Sequence, residues 1–583
     1  MKKLVSLVLF NCLFTSSVAL AQTPLLVVFP PSNYQTSTEK IFFIGTAPPD
    51  GEVLINGQSV KRSQAGHFSP SLPLQLGENV FRVRYQDQEQ EIKVTRISTQ
   101  PELPTRLGFV KDSLTPTADV ARLPGELICF SAIAPPRAIV SVKLANQTIP
   151  LSLQPSQAKL PANSGVLTGL NQPTASSPNK YQGCTTVANA ANLGQPQYSL
   201  TLKGQTITES SQGKVTILSP AQLAVAEVTA TSGVARTGSS TDYSRLTPLP
   251  QGTRSNVTGR DGDWLRLDYG GWINSKETKI IPGAIPPKTI IRSVGYRRLA
   301  RETEIRFPLQ TAVPVSVEQG DRTFSLTLHN TTAQTDTIRL DDDPIISRLD
   351  WQQVNQEQVK YTFNLKNLQQ WGYKLKYDNT TLVLTLRHAP NILNRKHLPL
   401  SGIKILLDPG HGGKESGAIG PTGLPEKDVN LIVSKLMRDE LVRKGAIVVM
   451  TREDDRDVSL VERQQMIEKE EPAIALSIHY NALPADGDAE NTKGFGSFWY
   501  HPQAHSLAIF LQNYVVNKLG KPYYGVFWNN LALTRPAAAP SVLLELGFMI
   551  NPQEFEEIIN PQEQKKMAKT LADGVTEWFR NAQ

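Results

Sequence analysis

At Ile403 the hydrophobic pattern changes period, and that change splits the chain into two kinds of structure. Upstream, short apolar runs are bounded by Pro, Gly, Asp and Asn, which is how strands and tight turns are written. Downstream, apolar strands alternate with segments whose apolar residues recur at helical spacing. That alternation predicts a three-layer α/β domain with a largely parallel sheet. A chain of 583 residues is too long for one core, and its length suggests roughly four domains. Its 39% hydrophobic and 19% charged residues fit ordered globular protein, not disorder.

The upstream region resolves into four all-β units. Runs at 25–29, 41–44, 52–55, 80–85 and 92–97, with an Asn56-Gly57 tight-turn signal, predict a small sandwich over 22–98. A second sandwich, 99–219, partly repeats it: Ile41-Phe42-Phe43-Ile44-Gly45-Thr46-Ala47-Pro48-Pro49 aligns with Ile128-Cys129-Phe130-Ser131-Ala132-Ile133-Ala134-Pro135-Pro136. A Pro, Ser, Asn and Gln-rich stretch at 154–197 is expected to be one long loop. Both units resemble bacterial immunoglobulin-like domains. In 220–283, Gly262-Asp263-Trp264-Leu265 and Gly270-Gly271-Trp272-Ile273 resemble a bacterial SH3-like domain, whose family binds peptidoglycan or peptide. Trp264 and Trp272 read either as exposed platforms or as core aromatics. In 284–388, the runs 304–307, 323–328, 359–365 and 373–376 alternate apolar and polar residues and Asp378-Asn379 turns into 381–386; by size and position the block resembles the all-β localisation domain of secreted amidases, and 389–402 is a Pro/Asn-rich linker.

The N-terminus addresses the chain. Met1-Lys2-Lys3, an apolar run and Ala19-Leu20-Ala21 predict a secretory signal peptide over 1–21. The run is too short to span a membrane, and no other stretch approaches a span. A lipoprotein reading through Cys12 is weak beside it, because Asn11 stands where a small residue is expected. The expected location is therefore the periplasm or cell wall. Cys129 and Cys184 remain after cleavage, either as a disulfide or as two buried thiols. A net charge of +7 is too thinly spread to argue for nucleic acid; it suits a polyanionic wall or is an ordinary solubility charge.

Chemistry is concentrated in 403–583. His411 follows the first strand in Asp408-Pro409-Gly410-His411-Gly412-Gly413, and Glu426 opens the next helix. His479 ends a strand, and Glu545 lies inside the apolar run Val542-Leu543-Leu544-Glu545-Leu546. Strand ends and the loops after them are where α/β domains place their sites. Two histidines and a carboxylate make an open three-ligand zinc site. Zinc lowers the pKa of bound water to roughly 7, and a second carboxylate then carries the proton to the leaving amine. Glu545 suits that role, because apolar neighbours raise a carboxyl pKa. Taken singly, a histidine after a strand is more often structural, and a glutamate at a helix start is usually a capping or dipole residue.

The segments Leu407-Asp408-Pro409-Gly410-His411-Gly412-Gly413, Glu426-Lys427-Asp428-Val429-Asn430-Leu431, Thr451-Arg452, Ser477-Ile478-His479-Tyr480-Asn481-Ala482 and Leu544-Glu545-Leu546-Gly547-Phe548-Met549-Ile550-Asn551 resemble the zinc-dependent type 3 N-acetylmuramoyl-L-alanine amidases. The resemblance covers about 403–579. It implies one zinc ion held by His411, Glu426 and His479, with Glu545 as the catalytic carboxylate. It also implies hydrolysis of the amide between N-acetylmuramic acid and L-alanine of the stem peptide. The partners expected are peptidoglycan and, through the β modules, cell-wall or division-machinery proteins. Lys414-Glu415-Ser416 and Tyr480 depart from the family pattern and could alter substrate fit.

Other residues carry weaker signals. His501 and His505, four apart, could hold a second metal but read better as surface residues. His67, His329, His388 and His397 have no clustered partners, and Arg452 and Arg463 read as a charge network rather than substrate contacts. Only 483–493 separates the second histidine motif from the next strand, so no plug is expected there. Two rival functions remain: a non-catalytic wall-binding or activator protein, and a zinc peptidase acting on stem peptides. The chain keeps all four site residues, against the first, and has no His-Glu-x-x-His helix, against the second.

Overall fold

A computed structural model describes residues 25–98, 107–155, 158–163, 165–168, 171–175, 179–390 and 398–582. The expected signal peptide with Cys12 and residues 391–397 of the expected linker, His397 among them, lie outside them. Among the described residues no helix is long and apolar enough to cross a membrane.

The upstream region is all β. In the first unit a five-stranded sheet and a three-stranded sheet enclose Phe43, Phe68, Val83 and Tyr85. Its Asn56-Gly57 turn has φ of 50° and 81°, the two left-handed residues that such a hairpin demands. The second unit has a six-stranded sheet in which Leu127–Ile133 pairs with Lys180–Thr186. That pairing sets Cys129 opposite Cys184, and the two form a disulfide. The long loop expected over 154–197 is shorter than that, because Lys180–Thr186 and Ala191–Gly194 are strands. Val120–Arg122 pairs with Val215–Ile217 on one side and with Arg254–Asp261 on the other. One sheet therefore runs through the boundary expected at 219/220. Trp264 and Trp272 are both half-buried and stand outside the third unit's core of Val228, Leu249, Leu265 and Ile273. The guanidinium groups of Arg122 and Arg266 each lie 5.9 Å from the Trp272 ring, so that ring packs against cations. The fourth unit is two sheets of five and four strands around Phe307, Phe324, Tyr361 and Phe363.

The C-terminal domain is a six-stranded sheet with helices on both faces. Its elements are β1 (Lys404–Pro409), α1 (Glu426–Arg443), β2 (Ile447–Met450), α2 (Leu460–Glu470), β3 (Ile474–Asn481), β4 (Phe495–Trp499), α3 (His505–Leu519), β5 (Tyr523–Trp528), β6 (Ser541–Phe548), α4 (Pro552–Ile559) and α5 (Pro561–Asn581). The spatial order is β2-β1-β3-β6-β4-β5. The first four strands are parallel, and β4 runs antiparallel to β6. The sequence reading missed β5 and α4.

Side chains alternate across a strand, and the alternation explains where the site is. Ile405, Leu407, Ile474, Leu476, Ile478, Val542, Leu544 and Leu546 face α1, α3 and α5 in one apolar core. The opposite face carries Leu406 and Ala475, which pack on Ile467 of α2. Farther along that face come Asp408, which the Arg463 side chain of α2 still reaches, and then Ser477, His479 and Glu545.

The end of β1 is held by a buried ion pair. Arg463 of α2 donates to Asp408 at 2.5 Å, with side chains 3% and 2% exposed. Ser477 and Thr451 hydroxyls donate to the same carboxylate at 2.6 Å each. Burial would raise the Asp408 pKa, but the Arg463 charge and these donors hold it below the usual range.

Two other units dock on this domain. Trp371 of the fourth unit stacks on Phe579, and Arg387 donates to the carbonyls of Pro472 and Ala538 at 2.7 and 2.6 Å. The first unit returns from the far end of the sequence to pack Phe42 and Ile44 against Ala489, Phe548 and Ile550. The Phe42 amide donates to Ala485 at 3.0 Å and the Ser71 hydroxyl to Gly487 at 3.0 Å, both in the loop after His479.

Two stability outcomes follow. Asp408→Asn leaves Arg463 buried without a counter-charge, and urea unfolding of the catalytic domain should show a loss of about 3–5 kcal/mol. Reducing the Cys129–Cys184 bond, which closes a separation of 55 residues, should cost the second unit about 2–4 kcal/mol in the same assay.

Candidate active site and metal centre

The loop after β1 turns sharply enough to place an imidazole over the sheet edge. His411 itself has φ +58°, a conformation unfavourable for a residue with a Cβ. Two arginines grip this backbone. Arg463 donates to the carbonyls of Pro409 at 2.8 Å and His411 at 2.7 Å, while Arg452 donates to those of Pro409 at 3.0 Å and Gly410 at 2.9 Å. Both arginines are buried. Gly410 admits the second imidazole: a Cβ there would stand 2.2 Å from the His479 ring.

Glu426 is the hub of the site. It opens α1, where the helix dipole favours a negative charge, and it is 3% exposed. Its Oε1 lies 3.1 Å from His479 Nδ1 and its Oε2 3.2 Å from His411 Nε2. The amides of Tyr480 and Ala418 donate to it at 3.0 and 2.9 Å, and the Asn430 side chain, one turn along α1, at 2.9 Å. Burial works against its charge, but the hydrogen bonds from the two imidazoles hold it well below the usual carboxylate range. Burial likewise works to lower the His411 pKa, and the hydrogen bond and charge of Glu426 raise it overall.

Glu545 stands opposite His479 in register, on the neighbouring strand and the same face. Its Oε2 is buried and has no hydrogen-bond partner among the described residues. Burial first, and the nearby charge of Glu426 second, push its pKa well above the ordinary value. A carboxyl so placed can take up and release a proton.

One donor atom from each of His411, Glu426 and His479 lies within 4.8 Å of the others, the one such triad among the described residues. Two imidazoles and an ionised carboxylate converging this way suit a divalent ion such as zinc.

Other sequence expectations fall elsewhere. His501 and His505 do not meet at a metal site. The His501 Nε2–H donates to the Arg535 carbonyl at 2.7 Å, and burial lowers its pKa to about 4. The His505 ring lies 4.2 Å from that of Trp499. His67, His329 and His388 bond the hydroxyls of Thr46, Ser316 and Thr303 at 2.9, 2.9 and 2.8 Å. The Tyr480 side chain is buried in the core, so only its amide reaches the site. The sequence reading missed Asn430, whose signal was its one-turn spacing from Glu426, and Tyr524, which lies on the strand that was not foreseen.

Residues 405–577 match the N-acetylmuramoyl-L-alanine amidase family. A germination-specific N-acetylmuramoyl-L-alanine amidase of Bacillus subtilis strain 168 is 34% identical over 204 residues, covering 31% of this chain and 82% of that protein. A probable cell wall amidase, LytH, of Staphylococcus aureus is 34% identical over 183 residues, covering 31% of this chain and 60% of that protein. Among solved structures, the N-acetylmuramoyl-L-alanine amidase AmiC2 of Nostoc punctiforme shares 30% identity with a TM-score of 0.30, covering 31% of this chain and 99% of that one. With a relative matched at this identity over most of its length, the chain belongs, through its C-terminal domain, to the N-acetylmuramoyl-L-alanine amidase family and is an amidase.

Proposed function

We propose that this chain is an exported, zinc-dependent amidase of the bacterial cell wall. It cleaves the amide between N-acetylmuramic acid and L-alanine of the stem peptide, in wall remodelling or cell separation. The carrying observation is the convergence of His411 and His479 on the buried carboxylate of Glu426, with the unpartnered Glu545 next to His479 in register. His411, Glu426 and His479 would hold the ion, and an ion there supplies Lewis acidity toward an amide carbonyl and toward water.

The chain's own residues do the rest. Glu426 is itself fixed between the two imidazoles by the amides of Tyr480 and Ala418 and by the Asn430 side chain. Glu545 accepts a proton from the attacking water and delivers it to the departing amine of L-alanine, which leaves as a neutral group. Its raised pKa suits both halves of that transfer. The β units 22–98, 99–219, 220–283 and 284–388 are read as wall-positioning modules, of immunoglobulin-like, SH3-like and localisation type, that bring this domain to peptidoglycan and to wall or division proteins.

Digestion of purified sacculi tests the reaction. Free stem peptides and intact glycan strands are the expected products, and cuts within the peptide would overturn the reading. Glu545→Gln should lower kcat by about 10²–10⁴ with metal content unchanged. His479→Ala should lose the bound metal itself, measured by elemental analysis. A chelator should abolish activity, and added zinc should restore it.

A further inference from the structure

The geometry points to Tyr524 as a donor for the peptide part of the substrate, whose place is taken in this structure by a hairpin of the second β unit. This rests on the amidase reading of the same cleft.

Strands Gln147–Leu153 and Lys180–Thr186 are neighbours in one sheet, with Ser152 opposite Gln182. A tight turn would suffice to join them, yet the chain departs after Leu153 and returns at Lys180. The excursion has a two-stranded neck, in which Ala158–Lys159 pairs with Thr174–Ala175, and a helical turn at Gly165–Thr168. Its base is fastened by the Cys129–Cys184 bond. At the tip, the Leu167 carbonyl accepts a hydrogen bond from the Tyr524 hydroxyl, 357 residues away in sequence. Gly165 is buried there, while Ala162, Asn163 and Val166 are exposed.

Tyr524 is close to the chemistry. It stands on β5, and its ring lies across β4 over Gly496, where a Cβ would be 2.9 Å from the ring and 3.8 Å from the Glu545 Cβ. The absence of a side chain at Gly496 lets the ring reach toward Glu545. Phe548 and Phe527 brace it, with ring centroids 4.9 and 5.3 Å away. Burial, then the Glu545 carboxylate, push its pKa up to about 12, so the hydroxyl keeps its proton and can donate. A backbone carbonyl meeting a donor beside Glu545 is the group that a stem peptide would present. The described tip residues, Pro161-Ala162-Asn163 and Gly165-Val166-Leu167-Thr168, carry no charge, so seating them beside the buried Glu545 carboxyl strands no unpaired charge. The hairpin is a tethered competitor, and tethering makes even a weak contact effective. The loop 483–493 is engaged by the first unit, to which its Ala485 and Gly487 carbonyls are hydrogen-bonded. The obstruction comes instead from a different unit.

The test uses the full chain and a soluble N-acetylmuramoyl-peptide. Replacing 158–175 with a short Gly/Ser link should lower KM by roughly tenfold with kcat nearly unchanged. Gly165→Glu, which puts a charged side chain at a buried position of the tip, should do the same without shortening the chain. In either background Tyr524→Phe should raise KM severalfold and leave kcat within about twofold, a split that a purely structural role would not give. A KM unmoved by both hairpin variants overturns the proposal. Limited proteolysis is read independently of turnover: the hairpin should be protected in the wild type and cleaved in Tyr524→Phe or when free stem peptide is added. Hairpin release without hydrolysis would sink the amidase reading and leave the competition standing. Hydrolysis with a hairpin indifferent to peptide and to Tyr524→Phe would do the reverse.

Discussion

The site depends on one buried charge. Asp408 lies where β1 ends, and its ionised carboxylate is held by Arg463, Ser477 and Thr451. These partners come from α2, from β3 and from the residue after β2, so a single carboxylate ties together three neighbouring elements. Arg463 has donors to spare, and it uses them on the carbonyls of Pro409 and His411. The network that locks the sheet edge thus also fixes the backbone of the histidine loop. An imidazole on a free loop would lose the entropy of being ordered at the moment of binding; here that cost is met in folding.

The distribution of apolar residues between the two sheet faces sets the rest. One face is wholly covered by α1, α3 and α5. The other has α2 over Leu406 and Ala475, with Asp408, Ser477, His479 and Glu545 farther along the same face. Burial at this edge is completed by segments distant in sequence: Phe42 and Ile44 of the first unit pack against Phe548 and Ile550, which follow Glu545. The first unit therefore packs directly against the end of the strand that carries Glu545. The one continuous sheet through the second and third units gives their junction backbone hydrogen bonds rather than a free linker.

Much of this was legible from residue order. The period change at Ile403 and the Asn56-Gly57 turn are local signals, because periodicity and turn chemistry act over a few residues. Three of the four candidate site residues were legible near element ends, His411 after β1, Glu426 opening α1 and His479 near the end of β3, and Glu545 as a charge inside an apolar strand. Tyr524 was not. Its strand was missed, and its nearness to Glu545 depends on a glycine in the strand between them. The shared sheet at Val120–Arg122 was also hidden, since pairing partners more than a hundred residues apart leave no mark in local pattern.

Sequence alone determined that β units precede an α/β domain and that two histidines and two glutamates could meet at its strand ends. It determined the residue types, and with them the chemistry. Tertiary structure decided which atoms meet: both oxygens of Glu426 shared between the imidazoles, Glu545 Oε2 left without a hydrogen-bond partner among the described residues, and a hairpin of another unit reaching Tyr524. The physical reason is range. Helix and strand preferences are set by neighbours along the chain, whereas ion pairing, burial and hydrogen bonding are set by neighbours in space, and only the packed fold says who those are.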